Sequence, residues 1–498
     1  MTARTLLLLA VTAPAVAGCV VGPDFRRPET PAPDRYTPEP LPERTASAPT
    51  EGGAAQRFVA AEDVPAQWWT LFRSEPLDRL VREALAQSPS LAAAEARLRQ
   101  AQELLLAETG AVYYPAIAAD AAVARQRRSV ASLGIPGLSG GVFNLYNVSV
   151  SVSYALDTAG GLRRLIEALQ AQVDFEAFRR EAAYLTLAGN VVTAAVTEAS
   201  LRAQIRATEE ILAGIENQLA IAEKQLAIGA IARTDVLTQR AEAAQVRATL
   251  PALERRLAAV RHQLAVLLGR LPSAGDVPAF TLAALALPTE LPLSLPSALV
   301  RQRPDVRAAE ALLHAASAQI GVATANLYPQ LTLSAAYGTE ATDSDALFES
   351  NTRFWSIGAS LLQPLFNGGE LRARRRAAIA AFDAAAAQYR QTVLAAFQDV
   401  ADVLRALETD ARTLLEQQRA FAAAEEALGL VRRQYKVGAA SYLQLLDAQR
   451  QFQQARIDLV QAQAARFADT AALFQALGGG WWNRPPAAVP VDAAAEVP

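Results

Sequence analysis

Two long stretches of the chain, residues 162–228 and 365–484, contain no proline and are rich in helix-forming residues. At about 1.5 Å of rise per residue, a helix of about 65 residues reaches about 100 Å. In the segments that follow Gly229 and Gly438, hydrophobic residues alternate spacings of three and four, which predicts a stripe buried against a neighbouring helix. The stripe comprises Leu445, Ala448, Phe452, Ala455, Leu459 and Ala462 in the second segment, and Val236, Gln239, Ala243, Val246, Leu250 and Leu253 in the first, where Gln239 is the one polar member.

Four shorter segments show a period of two, with apolar residues on one face and small or polar residues on the other. These segments are Ile117–Val123, Tyr146–Leu156, Leu331–Tyr337 and Trp355–Leu361, and the alternation is weaker in the first of them. The pattern is typical of transmembrane β-barrel strands, although a soluble β-sandwich edge shows the same alternation. Residues 131–141 and 338–351 are predicted to be exposed loops. Because four strands cannot close a barrel and lipid does not tolerate open strand edges, several chains must share one barrel.

The chain contains two copies of one plan. The segment 88–96 resembles segment 303–311, and Leu162 and Gly229 recur as Leu371 and Gly438, in both cases 209 residues later. Such self-similarity indicates a tandem duplication. The duplication predicts a first repeat (77–270), an equatorial linker (271–296), a second repeat (297–482) and a tail (483–498). The residues before the first repeat are predicted to be a signal peptide (1–18) and a lipidated and equatorial segment (19–76), for the reasons that follow.

The only cysteine, Cys19, follows a positive charge at Arg4 and a short apolar run. That layout is typical of a secretory signal, and the run is too short to span a bilayer. The order Val16-Ala17-Gly18-Cys19 resembles the bacterial lipobox, in which the cysteine is lipidated and becomes the first residue after cleavage. The resemblance implies a covalent lipid on Cys19 and, with Val20 next to it, sorting to the outer membrane. The alternative is a buried, inert cysteine near an ordinary cleavage site.

Composition narrows the classes of function. The chain is 52% hydrophobic but 6% aromatic, which favours long helices packed through small side chains. A net charge of −3 argues against a nucleic-acid partner. The two histidines, His262 and His314, each stand alone on a predicted helix, and a solvated or helix-interface histidine is the simpler interpretation. No nucleophile, base and orienting group come together, so we predict no enzyme, no metal site and no cofactor besides the lipid.

Several motifs together resemble the TolC-like outer-membrane efflux channel family, in its lipoprotein branch. They are Gly22-Pro23-Asp24-Phe25, Trp68–Phe72, Pro364–Gly369, Val437–Leu443 and Ala476–Trp482. The resemblance implies an α+β, mostly α fold: a trimeric outer-membrane β-barrel with four strands per chain, continuous with a long periplasmic α-helical barrel. It also implies that the Trp68-Trp69 and Trp481-Trp482 pairs pack in the belt around the helical tube.

The resemblance implies a function and partners as well. The expected function is a passive exit duct for small molecules such as drugs or toxic compounds. The expected partners are two further copies of the chain, a periplasmic adaptor protein, an inner-membrane transporter of the RND type and outer-membrane lipid. Alternatives are a channel for protein secretion or metal export, and a non-conducting lipoprotein tether that spans the periplasm. Met1 is the only methionine, whereas methionine-rich tracts would favour metal export.

The predicted functional residues cluster where the long helices reverse. Glycine permits the left-handed backbone of such a turn, and the residues around it would be displayed for adaptor docking. The docking set is Gly229, Ala230, Thr234, Asp235, Gly438, Ala439, Ala440 and Ser441. By resemblance, Leu443 and Asp447, four residues apart on one helix face, match the family's periplasmic gate. An ordinary exposed aspartate is the alternative, and a gating role for Asp235 stays open because its counterpart is Gln444. The arginines of residues 372–376 would lie near lipid headgroups or on a solvated face.

Overall fold

The computed structural model describes residues 20–29, 33–127 and 141–484. Within them the chain forms two compact units. The first contains residues 20–28, 97–127, 141–177 and 308–390, and the second contains residues 29, 33–96, 178–307 and 391–484. The predicted signal peptide, Cys19 and most of the predicted loop at 131–141 lie outside the described residues. The division into repeats at 77–270 and 297–482 stays a prediction.

Eight α-helices and six strands are found in the described residues. The helices are α1 (Glu75–Gln87), α2 (Pro89–Tyr113), α3 (Gly161–Ala227), α4 (Arg233–Leu267), α5 (Pro296–Gln302), α6 (Pro304–Ala325), α7 (Glu370–Lys436) and α8 (Tyr442–Ala476). The strands are β1 (Arg57–Ala60), β2 (Ala116–Arg127), β3 (Val142–Leu156), β4 (Glu290–Leu293), β5 (Gln330–Ala341) and β6 (Arg353–Leu362). The two long helices, α3 and α7, have 67 residues each, and the returning helices α4 and α8 have 35 each. The predicted long hairpins are therefore confirmed. No helix in the described ranges combines the length and apolar character that crossing a bilayer requires.

Each copy has two helices ahead of its strands. The break falls at Ser88 in the first copy and at Arg303 in the second, where ψ is 124° and 125°. Both residues precede a proline, Pro89 or Pro304, whose ring disfavours helical backbone in the residue before it. The duplicated motif that revealed the repeat is therefore the helix break itself.

The four predicted membrane segments form one antiparallel sheet in the first unit, in the order β2-β3-β5-β6. The register aligns their alternating patterns. Val150 lies opposite Tyr337, which lies opposite Trp355, whereas Ser151 lies in the next row opposite Ala336. Apolar side chains therefore share one face across the sheet, and small side chains share the other. This confirms the four strands, including the weakly patterned β2.

The apolar face of this sheet is uncovered in a single chain. Ile117, Val123, Trp355 and Ile357 are all exposed. An exposed apolar face of this size marks contact with lipid or with another protein. Within the described residues, β2 and β6 each pair with one strand only, so both edges of the sheet are open.

The predicted loop at 338–351 begins later than expected. Residues 338–341 belong to β5, where Gly338 pairs with Ser149 and Ala341 with Tyr146. The composition of this stretch is typical of a turn, but β3 extends far enough to offer backbone partners to the last residues of β5. Strand pairing therefore overrides the local preference.

The second unit contains a small parallel sheet of β1 and β4 that the sequence did not reveal. Trp68 and Trp69 are fully buried nearby in the chain, and the Trp68 ring stacks on Phe474 with centroids 5.4 Å apart. Trp481 donates its indole N–H to the Gln302 carbonyl at 2.6 Å. The tryptophan pairs are packing residues, as predicted.

The stripes on the returning helices are buried or half-buried, as their spacing predicted. On α8, Leu445 and Ala448 pack against Leu428 of α7. On α4, Ala243 and Val246 pack against α3 residues such as Leu212. Both hairpins are therefore held by small and branched side chains along one seam.

A buried charged cluster lies on α7 and α8. Arg466 is fully buried and donates from Nη2 to the Gln56 side chain at 2.7 Å, and burial lowers the pKa of its guanidinium. Burial, followed by the neighbouring Asp410 carboxyl, raises the pKa of Asp469 from 3.8 to about 7, while the Arg466 charge opposes the shift. Asp469 therefore holds a proton in the folded protein at mildly acidic pH.

This cluster predicts a pH dependence of stability. The pKa of Asp469 is 3.8 in the unfolded chain and about 7 in the folded protein. Its contribution to stability is therefore full below pH 3.8 and is lost as the pH rises through about 7. We expect Asp469→Asn, which mimics the protonated carboxyl, to flatten the fall in unfolding temperature between these pH values. Circular dichroism melts of purified protein measure this. Asp458→Asn on the same helix is the control and should keep the wild-type slope; an unchanged slope in Asp469→Asn would contradict the assignment.

Candidate functional site

The first hairpin tip reverses through a left-handed glycine. Gly229 has φ of 73°. Its N–H donates to the Leu226 carbonyl at 3.0 Å, and the Ala230 N–H donates to the Gln225 carbonyl at 2.8 Å. These two bonds form a Schellman motif, which satisfies the last carbonyls of α3 and ends the helix.

The second tip repeats this geometry. Gly438 has φ of 74°, and its N–H donates to the Tyr435 carbonyl at 3.1 Å. The Ala439 N–H donates to the Gln434 carbonyl at 2.8 Å. No atom would meet a side chain added at Gly438, so backbone conformation alone requires the glycine. The predicted turn role of both glycines is confirmed.

The returning helices start differently at the two tips. Ser441 caps α8: its Oγ accepts from the Gln444 N–H, and the Gln444 Oε1 accepts from the Ser441 N–H at 2.7 Å. This capping box fixes the first turn of α8. Ala232 caps α4 without a side-chain bond, and Asp235 supplies a negative charge in the first turn instead.

The predicted docking residues are mostly displayed to solvent. Asp235 and Ala440 are half-buried, and the other six members of the set are exposed. Large apolar side chains stand at the same position in both tips: Ile228 is 81% exposed and Val437 is 79% exposed. Both tips therefore expose a large apolar side chain at the same position of the repeat, and docking of a partner there stays a prediction.

Leu443 and Asp447, the predicted gate pair, lie one turn apart on α8. Leu443 is 72% exposed, and Asp447 is exposed with one carboxylate oxygen accepting from Gln451 Nε2 at 2.9 Å. A single chain therefore places an apolar and a charged side chain on one uncovered face, as the spacing predicted. Their role as a gate stays a prediction.

A salt bridge ties the two returning helices together. Arg450 of α8 donates from Nη2 to Glu242 of α4 at 2.5 Å, and Glu242 is 5% exposed. The bond to Glu242 raises the pKa of Arg450, and the Asp447 charge acts in the same direction. This pair was not predicted from the sequence. The counterparts one repeat away are Gln451 and Ala241, so the pair is not a general feature of the hairpins.

Aromatic rings add a second tie at the start of α8. Tyr442 packs edge to face against Tyr435 of α7 with centroids 6.3 Å apart. Burial, together with the nearby Glu242 carboxylate, raises the pKa of Tyr442 to about 12. Gln449 also donates a hydrogen bond to Gln218 of α3. The first three turns of α8 therefore contact all three other hairpin helices.

The segment directly after Cys19 is fastened to the first unit. Arg164 of α3 is buried and donates to Asp24 at 2.7 Å and to the Val21 carbonyl at 3.3 Å. The Val21 N–H donates to the Ala159 carbonyl at 3.0 Å, just before α3 begins. Cys19 itself lies outside the described residues. The Gly22-Pro23-Asp24-Phe25 motif thus holds the residues that follow Cys19 in a defined place.

His314 also contacts the segment that follows Cys19. Its ring stacks on Phe25 with centroids 4.3 Å apart, and its Nε2 lies 2.9 Å from Glu167 Oε1. His262 is exposed on α4. Within residues 20–29, 33–127 and 141–484, no group of histidine, cysteine, aspartate and glutamate side chains is arranged to hold a metal ion.

The chain combines a four-stranded sheet that has an uncovered apolar face with two long helical hairpins. Comparison with known proteins identifies this architecture as that of an outer-membrane channel protein. A sequence model of the family described as Outer membrane efflux protein matches residues 80–270 and 295–479. The pyoverdine export outer membrane protein OpmQ of Pseudomonas putida is 33% identical over 452 residues, covering 89% of this chain and 94% of OpmQ. The toluene efflux pump outer membrane protein TtgC, from another strain of Pseudomonas putida, is 31% identical over 488 residues, covering 97% of this chain and 96% of TtgC.

The structures agree with the sequences. The outer-membrane channel OprN superposes with a TM-score of 0.82 at 29% identity, covering 93% of this chain and all of that chain. The chain belongs to the outer membrane efflux protein family. The predicted family, the mostly helical fold class and the outer-membrane efflux function are confirmed.

The tip geometry predicts opposite effects for two glycine substitutions on the second hairpin. Gly438→Ala puts a side chain on a left-handed residue and should destabilise the tip by about 1 kcal/mol. That corresponds to about fivefold faster hydrogen exchange of the Ala439 amide. Gly429→Ala, within α7, should instead stabilise the helix by about 0.5–1 kcal/mol. Hydrogen–deuterium exchange of the tip peptides measures both, and equal protection in the two variants would refute the tip assignment.

Proposed function

We propose that three copies of this chain form a passive outer-membrane exit duct for small molecules, working with a periplasmic adaptor protein and an inner-membrane transporter of the RND type. The observation that carries the proposal is the pair of open edges on the four-stranded sheet. Lipid offers no hydrogen bonds to such edges, so β2 of one copy must pair with β6 of another. Three chains supply twelve strands; the number three comes from the family resemblance.

The nature of the cargo is supported by the relatives. Their names refer to export of pyoverdine and efflux of toluene, two very different small molecules. A duct that serves such different cargo selects little by itself, so the partner transporter would choose the substrate. We assign the chain no catalytic role and no cofactor apart from a covalent lipid on Cys19. The fastened segment after Cys19 would hold that lipid beside the start of α3.

The gate would form from Leu443 and Asp447 of each copy. Three leucines would make an apolar plug, and three carboxylates would make a charged ring that repels itself. Closure therefore needs neighbouring bonds, and the Glu242–Arg450 salt bridge provides one. An adaptor that docks on the two tips, around Ala230 and Ala440, would strain this bond and release α8.

The salt bridge gives a test of the duct. Arg450→Ala leaves Glu242 buried without its partner, so the tie between α4 and α8 should fail. We expect planar bilayers containing this variant to carry a severalfold larger ionic current than wild type.

Asp447→Ala should reduce the cation selectivity of the open channel, measured as the reversal potential in a salt gradient.

A matched control is available on α7. Arg419 pairs with Glu416 on the same helix at 2.7 Å, so Arg419→Ala breaks an ion pair without untying two helices. Its current should equal that of wild type. If no variant conducts although each assembles, the chain is not a duct; if Arg419→Ala raises the current as much as Arg450→Ala, the gate assignment is wrong.

A further inference from the structure

A cavity of about 560 Å³ lies between the two hairpins of the second unit, close to their tips. Its apolar lining comes from both hairpins and includes Ile221, Ile231 and Leu445, with the ring of Tyr435. Three glutamine side chains and two basic residues complete the wall. A concave, mostly apolar space with a few polar groups is the usual form of a small-molecule site.

The charge of the lining has one sign. Arg432 and Lys436 of α7 line the cavity, and no aspartate or glutamate does. Among the described residues, neither cation has a hydrogen bond or an ion pair. The counterparts one repeat earlier are Glu223 and Ala227, so the hairpin fold does not require cations here. The cavity is therefore suited to an anion.

The buried side-chain amide of Gln239 sets a second requirement for a ligand of this cavity. Gln239 interrupts the apolar stripe of α4, is 3% exposed, and lines the cavity. Its Oε1 accepts no hydrogen bond within the described part of the chain. The counterpart in the second copy is Ala448, which fills the stripe without a polar group. A buried acceptor without a donor costs free energy that a ligand with an N–H or O–H group would recover.

We propose that this cavity binds a small amphiphilic organic anion, with an acidic head for Arg432 and Lys436, an apolar body and a hydrogen-bond donor for Gln239. Binding is a property of the isolated protein, so it does not depend on the proposed duct. Gly438 and Ala440 also line the cavity, so an occupant would contact one of the predicted docking tips. Occupancy would therefore oppose docking of an adaptor at that tip.

The probe for this site is 6-hydroxy-2-naphthoate, which carries a carboxylate, a two-ring apolar body and a hydroxyl at its far end. Fluorescence titration of the full chain in non-ionic detergent should show saturable binding of one probe per chain. Neutral 2-naphthol should bind at least about tenfold more weakly, because it cannot pair with the cations. Wild type should prefer the hydroxylated probe over 2-naphthoate by about fivefold, which is the effect of one hydrogen bond.

Three variants test whether the probe binds in this cavity or only partitions into detergent micelles. Arg432→Gln combined with Lys436→Gln should abolish saturable binding, whereas Arg433→Gln, on the same turn but outside the lining, should bind as wild type. Gln239→Ala should bind both naphthoates equally and lose the preference for the hydroxyl. Circular dichroism confirms that each variant is folded.

Either of two results overturns the proposal: wild type shows no saturable binding, or the Arg432 and Lys436 double variant binds as tightly as wild type. Cross-linking of a partner's acidic segment into the cavity, in the absence of naphthoate binding, would assign the space to protein docking instead. Failure of the duct itself would appear only as missing conductance, so the two claims fail separately.

Discussion

A sheet of four strands leaves two rows of backbone amide and carbonyl groups without partners in the described chain, one along β2 and one along β6. In water such edges are a risk of aggregation, and in lipid they are not tolerated. The same sheet presents a continuous apolar face that one chain does not cover. Both features are resolved at once if identical chains pair their edges and turn the apolar face to lipid. The membrane part of the protein therefore depends on assembly.

Duplication supplies the helical part, and differences between the copies mark the places with a specific role. Both tips use the same glycine turn and the same exposed apolar residue. The second copy alone has the capping box of Ser441 and Gln444. The Glu242–Arg450 bridge and the Gln239 amide likewise have no equivalent across the repeat. The copies thus share the elements of the fold, whereas the capping box, the salt bridge and the Gln239 amide each occur once.

Sequence patterns predicted the elements that depend on local periodicity. The proline-free stretches correspond to α3 and α7, the spacing of three and four to the buried stripes, and the period of two to the membrane strands. Helix breaks at Ser88 and Arg303 were predictable from the following prolines, but were overlooked. Residues 338–341 were wrongly assigned to a loop because strand pairing with β3 is a tertiary effect.

The site was predictable only in part. Glycine turns and the Leu443–Asp447 spacing follow from short-range rules. The bridge of Glu242 to Arg450 joins residues 208 positions apart, and the cavity collects residues from four helices, so neither has a local signature. The role of Arg164 as the fastening of Val21 and Asp24 was hidden for the same reason.

Disulfide cross-linking between sheet edges tests the central claim most directly. One cysteine on β2, for example Ala119→Cys, and one on β6, for example Ala359→Cys, are combined in one chain and oxidised in membranes. Both positions lie on the apolar face of the sheet. If the sheet edges of different chains pair, some of these cysteine pairs should give disulfide-linked dimers and trimers and no larger species. The pair Ala119→Cys and Val150→Cys, neighbours in the β2–β3 register, should give monomers alone. If every β2–β6 pair also yields only monomers, the edges do not meet between chains and the account is wrong.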